Sequence, residues 1–277
     1  MNYKRILTIQ DISCVGQCSM TVALPILSAC GQETCILPSA VLSTHTGGFS
    51  FPAVRDLTED LPGIQAHWQK EDICFDAIYT GYLGSTKQIA YVSDILASRL
   101  RTGGRTIVDP AMADNGKLYK GFDTTYVDAM RGLCIQADVI LPNITEACLL
   151  TGMEYRESYG EAYIDELLGQ LHTLGCKCVV LTGVGYLPGE TGVVISDGIQ
   201  RSHYRHPRVG RAYHGTGDAF ASAFVGSWMG GKTMEEAARI AADFVCECIR
   251  NTLEDPAHWY GVKFETALPC LIRRLYN

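Results

Sequence analysis

Tyr213-His-Gly-Thr-Gly-Asp-Ala-Phe220 sets two glycines around a threonine, places an aspartate directly after them, and opens a run from Ala219 to Met229 that holds no charge. This pattern predicts a tight turn feeding the N-terminus of a buried helix. Glycine lets the backbone turn and approach a ligand with no Cβ in the way. The first amides of a helix have no partner inside it, so they can hold an anion. An aspartate beside such a site could take the proton of a hydroxyl attacking a phosphate. It could equally be an acidic residue of the first turn that complements the helix dipole.

Outward from this stretch, short apolar runs alternate with longer helical patterns. Ile6–Ile9, Thr34–Leu37, Ala77–Tyr79, Thr106–Val108, Val139–Leu141 and Lys177–Leu181 read as strands. Helices are expected from the loop after Ser13 to about Ala29, over Thr86–Arg101, and over Ala219–Met229, Met234–Asn251 and Glu265–Tyr276. Strands separated by helices of this length predict a mostly parallel sheet with helices on both faces, here as a single domain over residues 1–277. Right-handed crossovers then bring the strand ends to one edge, where ligands of open α/β sheets bind. Val193–Ser196 and Gln200–Arg205 bracket Asp197-Gly198, a hairpin signal.

Composition narrows the class. The 277 residues are 47% hydrophobic and 19% charged, enough for a sizeable core, and the net charge of −7 gives nucleic-acid binding no support. The twelve cysteines are scattered and form no CxxC, so they read as small buried hydrophobes of a reducing compartment. The start, Met1 to Ile9, lacks the long apolar core of a signal peptide, and Ile12–Gln32, although uncharged, contains Ser13, Gly16, Gln17, Ser19 and Pro25. A cytoplasmic protein with no membrane span is expected.

One motif misleads. Gly226-Ser-Trp-Met-Gly-Gly-Lys-Thr233 matches the phosphate-binding P-loop pattern letter for letter. That mechanism needs a strand before the loop, whereas an apolar helical run precedes this one. Gly230-Gly231 then marks a helix end, and Thr233-Met-Glu-Glu236 a capping box opening the next helix.

Polar groups end the strands on the shared edge: Asp109 and Asp114 after one, Asn143 and Glu146 after the next, Thr182 after a third. Asp-Pro also starts turns, and Asn143 with Glu146 also forms a cap-and-box pair. Together with Gly215–Asp218 they supply what phosphoryl transfer needs, namely carboxylates for a magnesium ion or its waters, an anion hole and a base.

This order of motifs resembles the ribokinase-like superfamily and, within it, the pyridoxal kinases, over nearly the whole chain. The likeness runs from Ile6-Leu-Thr-Ile-Gln10 through Ser43-Thr-His-Thr-Gly47, Gly81-Tyr-Leu-Gly84, Asp109-Pro110 with Asp114, and Pro142-Asn143 with Glu146 to Gly215-Thr-Gly-Asp218. The resemblance implies ATP-dependent phosphorylation of the 5′-hydroxymethyl group of pyridoxal, pyridoxamine or pyridoxine. Asp218 is then the base, and Gly215, Thr216 and Gly217 form the anion hole. Asp109, Asn143 and Thr182 serve ATP, and Asp114 and Glu146 serve Mg2+. Asp11, His45, Thr46 and Tyr82 surround the substrate. Family members are usually homodimers, and some need a monovalent cation such as K+.

Asp11 departs from the pattern. Many pyridoxal kinases have a serine there that hydrogen-bonds the pyridine nitrogen, whereas sugar kinases of the superfamily place a hydroxyl-gripping aspartate near this strand end. An anion beside the ring would favour its protonated form. The competing expectations are a kinase of a sugar, nucleoside or hydroxymethylpyrimidine, and a vitamer-binding protein without turnover. The pyrimidine kinases often carry cysteine where Asp218 stands, and a protein without turnover would be expected to have lost the base or the glycines.

Overall fold

The predicted strands pair into one nine-stranded sheet in a computed structural model that describes residues 3–276. Met1 and Asn2, part of the segment searched above for a signal peptide, lie outside the described residues. In chain order the first elements are β1 (Arg5–Ser13), α1 (Met20–Ala29), β2 (Glu33–Leu42), β3 (Val54–Asp56), α2 (Leu61–Lys70), β4 (Phe75–Thr80), α3 (Thr86–Arg99) and β5 (Leu100–Val108). A two-stranded flap follows, β6 (Ala113–Asp114) and β7 (Lys117–Leu118), then α4 (Thr124–Gln136), β8 (Val139–Ile140), α5 (Ile144–Thr151), α6 (Glu161–Thr173) and β9 (Val179–Thr182). The chain ends with β10 (Glu190–Ser196), β11 (Arg201–Pro207), α7 (Thr216–Met229), α8 (Met234–Leu253) and α9 (Phe264–Tyr276).

The sheet order is β11-β10-β9-β8-β5-β4-β1-β2-β3. The strands from β9 to β2 are parallel to one another, while β3, β10 and β11 join antiparallel at the flanks. The central strands read as unbroken apolar runs because both faces are covered. Leu7, Ile9 and Ile78 pack under α3 to α6, and Ile6, Ala77 and Tyr79 pack under α1, α7, α8 and α9.

Three differences from the sequence expectation have local causes. β1 runs on through Gln10-Asp11-Ile12 to Ser13, and α1 begins only at Met20, because Cys14–Ser19 folds back so that Ile12 and Ser19 form a bridge. α3 stops at Arg99 and β5 starts at once with Leu100, so Arg101 lies in a strand. The Asp197-Gly198 turn is a four-residue loop whose Asp197 carboxylate accepts from the amides of Ile199 and Gln200. The flap, β3 and the helices α2, α4 and α6 were not assigned from the sequence.

Candidate active site

The parallel strands bring their carboxyl ends to one edge, and α7 points its N-terminus at that edge. Gly215 caps the helix with φ +76°, a left-handed conformation that favours glycine. A Cβ there would also collide with the carbonyl oxygen of Gln17, so packing against the β1–α1 loop demands this glycine independently of any ligand. Gly217 has open space where a Cβ would stand. The first hydrogen bond of the helix runs from Ala219 N to Gly215 O at 2.9 Å, so the amides of Thr216, Gly217 and Asp218 precede the ladder. The Thr216 hydroxyl turns back to Tyr213 O at 3.1 Å.

Asp218 lies in the first turn of α7 and is half-buried. Burial of its remaining surface pushes its pKa up to about 6, opposed by the Ser19 backbone amide and assisted by the charge of Asp11. Asp109, at the end of β5, is nearly enclosed. Burial, then the charges of Glu146 and Asp218, hold its carboxyl well above the usual range. Glu146 is buried in the first turn of α5 and its pKa is raised to about 8, chiefly by desolvation, against the pull of the Asn143, Met112 and Ala113 amides.

The capping box expected at Asn143 is complete. Its Oδ1 accepts from Glu146 N at 2.9 Å, and Glu146 Oε2 accepts from Asn143 N at 2.8 Å. Asn143 Nδ2 donates to Ala113 O at 2.9 Å, tying the cap to the flap. Asn143 is thus committed to structure at both side-chain atoms, with one amide hydrogen left for a ligand. Thr182 bridges to Asn143 across the sheet and is half-buried beside Gly183. Asp114 is exposed on the flap, where its two oxygens accept from the backbone and side chain of Asn115 at 2.8 and 3.0 Å.

Among the described residues no three His, Cys, Asp or Glu side chains converge as a ready metal cage. Asp109 and Glu146 are nevertheless two buried carboxylates close enough to raise proton affinity at Asp109. That donor set fits a hard divalent cation that keeps waters and takes its other ligands from substrate phosphates.

At the other side of the cleft, the Ser43–Ala53 loop carries His45 and Thr46. His45 is buried, its Nδ1 accepting from Gly47 N at 3.0 Å and its Nε2 therefore donating to Tyr260 O at 2.7 Å. Its ring meets Phe49 and His214, each at 5.0 Å between centroids. Thr46 is exposed and Tyr82 half-buried, stacked on Phe122. Asp11 is buried in β1 where the pairing with β2 slips by one residue beside Pro38, a position that re-aims a side chain.

Three residues of this edge were missed in the sequence. Ser19, at φ +55°, faces Asp218 with its amide and Asp11 with its hydroxyl. His214 fills the space over Gly47. Tyr119 lies within reach of the charges of Glu146, Asp114, Asp109 and Asp218, which, after burial, raise its hydroxyl pKa. No local sequence signal marks any of them, since each depends on how loops cross.

The sheet order and the position of the site at the N-terminus of α7 define a ribokinase-like fold. Residues 27–261 match the model of the phosphomethylpyrimidine kinase family, and the chain belongs to that family. The hydroxymethylpyrimidine/phosphomethylpyrimidine kinase of Bacillus subtilis is 30% identical over 220 residues, 78% of each chain. A putative phosphomethylpyrimidine kinase of Bacteroides thetaiotaomicron, solved with pyridoxal, superimposes with a TM-score of 0.91 at 37% identity, over 97% of this chain and 95% of that one. Pyridoxal kinase of Lactobacillus plantarum gives 0.90 at 33%, over 98% and 97%. The chain is therefore a pyridoxal kinase-like member of a kinase family, and the family implies ATP as phosphoryl donor.

Proposed function

We propose that the protein phosphorylates the 5′-hydroxymethyl group of a vitamin B6 vitamer at the expense of ATP. The observation that carries this is Asp218, a partly exposed carboxylate in the first turn of a helix whose leading amides are free. Asp218 accepts the proton of the attacking hydroxyl, and the amides around Gly215, Thr216 and Gly217 stabilise charge on the transferred group. Asp109 and Glu146, with Asp114 on the flap, would hold Mg2+, and Asn143 and Thr182 would serve the nucleotide. Bound there, Mg2+ supplies charge neutralisation of the phosphates. Asp11, His45, Thr46 and Tyr82 enclose the ring. The pyridoxal found with the 37%-identical Bacteroides protein supports a B6 vitamer as substrate. The single-domain organisation, the homodimer and the cytoplasmic location are proposed on the family resemblance; no helix among the described residues is long and apolar enough to cross a membrane.

The description of the matched family and the Bacillus relative support a second reading, hydroxymethylpyrimidine as the alcohol. A coupled assay of ATP consumption with pyridoxal, pyridoxamine, pyridoxine, hydroxymethylpyrimidine and ribose separates the two. Turnover with the pyrimidine and with no B6 vitamer would overturn the proposal.

A further inference from the structure

Beneath the carboxyl edge lies a layer of polar groups that the proposed chemistry leaves unused. Gly81 N donates to Ile9 O at 3.1 Å and Asp109 N to Thr80 O at 3.0 Å, so Gln10, Gly81 and Asp109 stand side by side at that edge. The register sets Tyr79 one level further in, between Thr8 and Ile107. Side chains alternate along a strand, so Gln10, Tyr79 and Asp109 share the face of Ile6, Ala77 and Ile107, against which α7 packs. From α7, Ser222 enters the same layer one turn beyond Asp218.

Gln10, Tyr79 and Ser222 are fully buried, and Gln10 Oε1, Tyr79 Oη and Ser222 Oγ have no hydrogen-bond partner among the described residues. Gln10 Nε2 donates to Thr8 Oγ1 at 2.8 Å, which leaves Oε1 over Gly81, where a Cβ would come within 2.7 Å of it. Ser222 behaves unlike other buried hydroxyls of these helices. Ser227 and Thr252 each donate to the carbonyl one turn back, Ala223 O and Cys248 O, at 2.6 Å, and Ser222 does not. The Tyr79 hydroxyl faces both Ser222 and Gln10 without closing a bond to either. Burial, then the charges of Asp109 and Asp218, keep it protonated, so it is a donor. Asp109 feels burial and neighbouring charges, with no hydrogen-bond donor to its carboxyl among the described residues. Unmet buried polar groups are costly, and a buried water meets them by making two to four hydrogen bonds.

We propose that Tyr79, Ser222 and Gln10 bind one ordered water behind Asp109, and that through it Tyr79 acts as a positioning residue for that carboxylate. The water accepts from the Tyr79 and Ser222 hydroxyls and donates to Gln10 Oε1 and to Asp109, so all four of its hydrogen bonds are used. Carboxylates that ligate a metal are aimed by such outer partners. The role at Asp109 rests on the Mg2+ assignment proposed above; the water site does not.

The test joins a high-resolution crystal structure to the variants Tyr79→Phe and Ser222→Ala. Wild type should show a water within hydrogen-bonding distance of Tyr79 Oη, Ser222 Oγ and Gln10 Oε1. Tyr79→Phe keeps the ring and removes only the oxygen. It should lower the Tm, because a bridged hydroxyl is lost, whereas deleting an orphaned hydroxyl would leave the Tm unchanged or raise it. The magnesium needed for half-maximal turnover should rise about tenfold in Tyr79→Phe and in the same direction in Ser222→Ala, with the KM for the alcohol within about twofold of wild type. The double variant should add little to Tyr79→Phe, since both hydroxyls act through one water. Density with no water at this place, or a Tyr79→Phe Tm equal to or above wild type, overturns the site. A lowered Tm with a wild-type magnesium requirement leaves the water structural and overturns the positioning role, and Ser222→Ala decides that point if Tyr79→Phe does not fold. Wild type whose turnover does not depend on magnesium refutes the Mg2+ assignment and the positioning role with it, while the density and the Tm still decide the water site.

Discussion

Asp218 links geometry to two measurable quantities. As the proposed general base it should be replaceable in shape but not in chemistry, so Asp218→Asn is expected to keep ATP binding and lose about 10²–10⁴-fold in turnover. A variant with more than half of wild-type turnover removes the base assignment. The same carboxylate also opposes folding. Its folded pKa of about 6 lies above the usual aspartate value, so the native state holds its proton more tightly than the unfolded chain does. Stability from this group is therefore full below about pH 4 and lost as pH rises toward 6. A shift of about two units corresponds to about 3 kcal/mol for an enclosed group, and the open face of Asp218 makes that an upper bound. Thermal unfolding should show Asp218→Asn gaining on wild type as pH rises from 4 to 7, and a difference flat across that range would contradict the desolvated carboxylate. Ser19 offers a companion test. Its φ of +55° with ψ of −129° is a conformation that costs a non-glycine residue about 1–3 kcal/mol. Ser19→Gly should keep or raise the Tm, because the amide facing Asp218 remains and the strain goes. A clear drop in Tm would show that the hydroxyl facing Asp11 matters more than the strain.

At the scale of elements, α5 is the segment proposed to serve structure and chemistry together. Glu146 closes the capping box and also lies beside Asp109. Glutamine can close the same box, so Glu146→Gln separates the roles. The variant can keep the box through its one carboxamide oxygen but turns its NH2 toward the Met112 N–H that Glu146 Oε1 accepts at 3.2 Å, so it should fold with a modestly lowered Tm and should need more magnesium for half-maximal turnover. Wild-type magnesium dependence would leave Glu146 as a capping residue alone. This element was legible in the sequence, because Asn and Glu three apart before an apolar run carry their own mechanism. So were the central strands, whose apolar runs end in polar groups, and the Thr233–Glu236 box. The flap was not, since two-residue strands have no period to read. Asp11 was placed in a polar segment after the first strand, whereas β1 runs on through it to Ser13. The slip opposite Pro38 is set by pairing with β2, which a one-dimensional pattern does not contain. The glycines of the motif were read as room for a ligand, yet Gly215 is first required by the Gln17 carbonyl, a contact some two hundred residues away in sequence.

The whole molecule has two ends that the sequence makes look alike. The carboxyl edge of the sheet carries Gly215–Asp218 at the start of α7, and the opposite edge carries Gly230-Gly231-Lys232 just past the end of the same helix. Fourteen residues of helix separate them, about 21 Å at the usual rise of 1.5 Å per residue. No single phosphate chain held at the first turn can be wrapped by the second. The polarity is also wrong for a phosphate there. The last turn of α7 presents carbonyls, which attract cations, and Gly231 N and Lys232 N are already bonded to Trp228 O and Ser227 O. Thr233 is occupied as the cap of α8, accepting from Glu236 N at 3.2 Å. Lys232 therefore has a place near a helix C-terminus and no reacting group to meet. Lys232→Ala should leave turnover and the KM for ATP within twofold, and cost at most about 0.5 kcal/mol of stability, as is usual for a surface substitution. A tenfold rise in the KM for ATP would move the nucleotide to the amino edge and sever the link between Asp218 and the transferred phosphate.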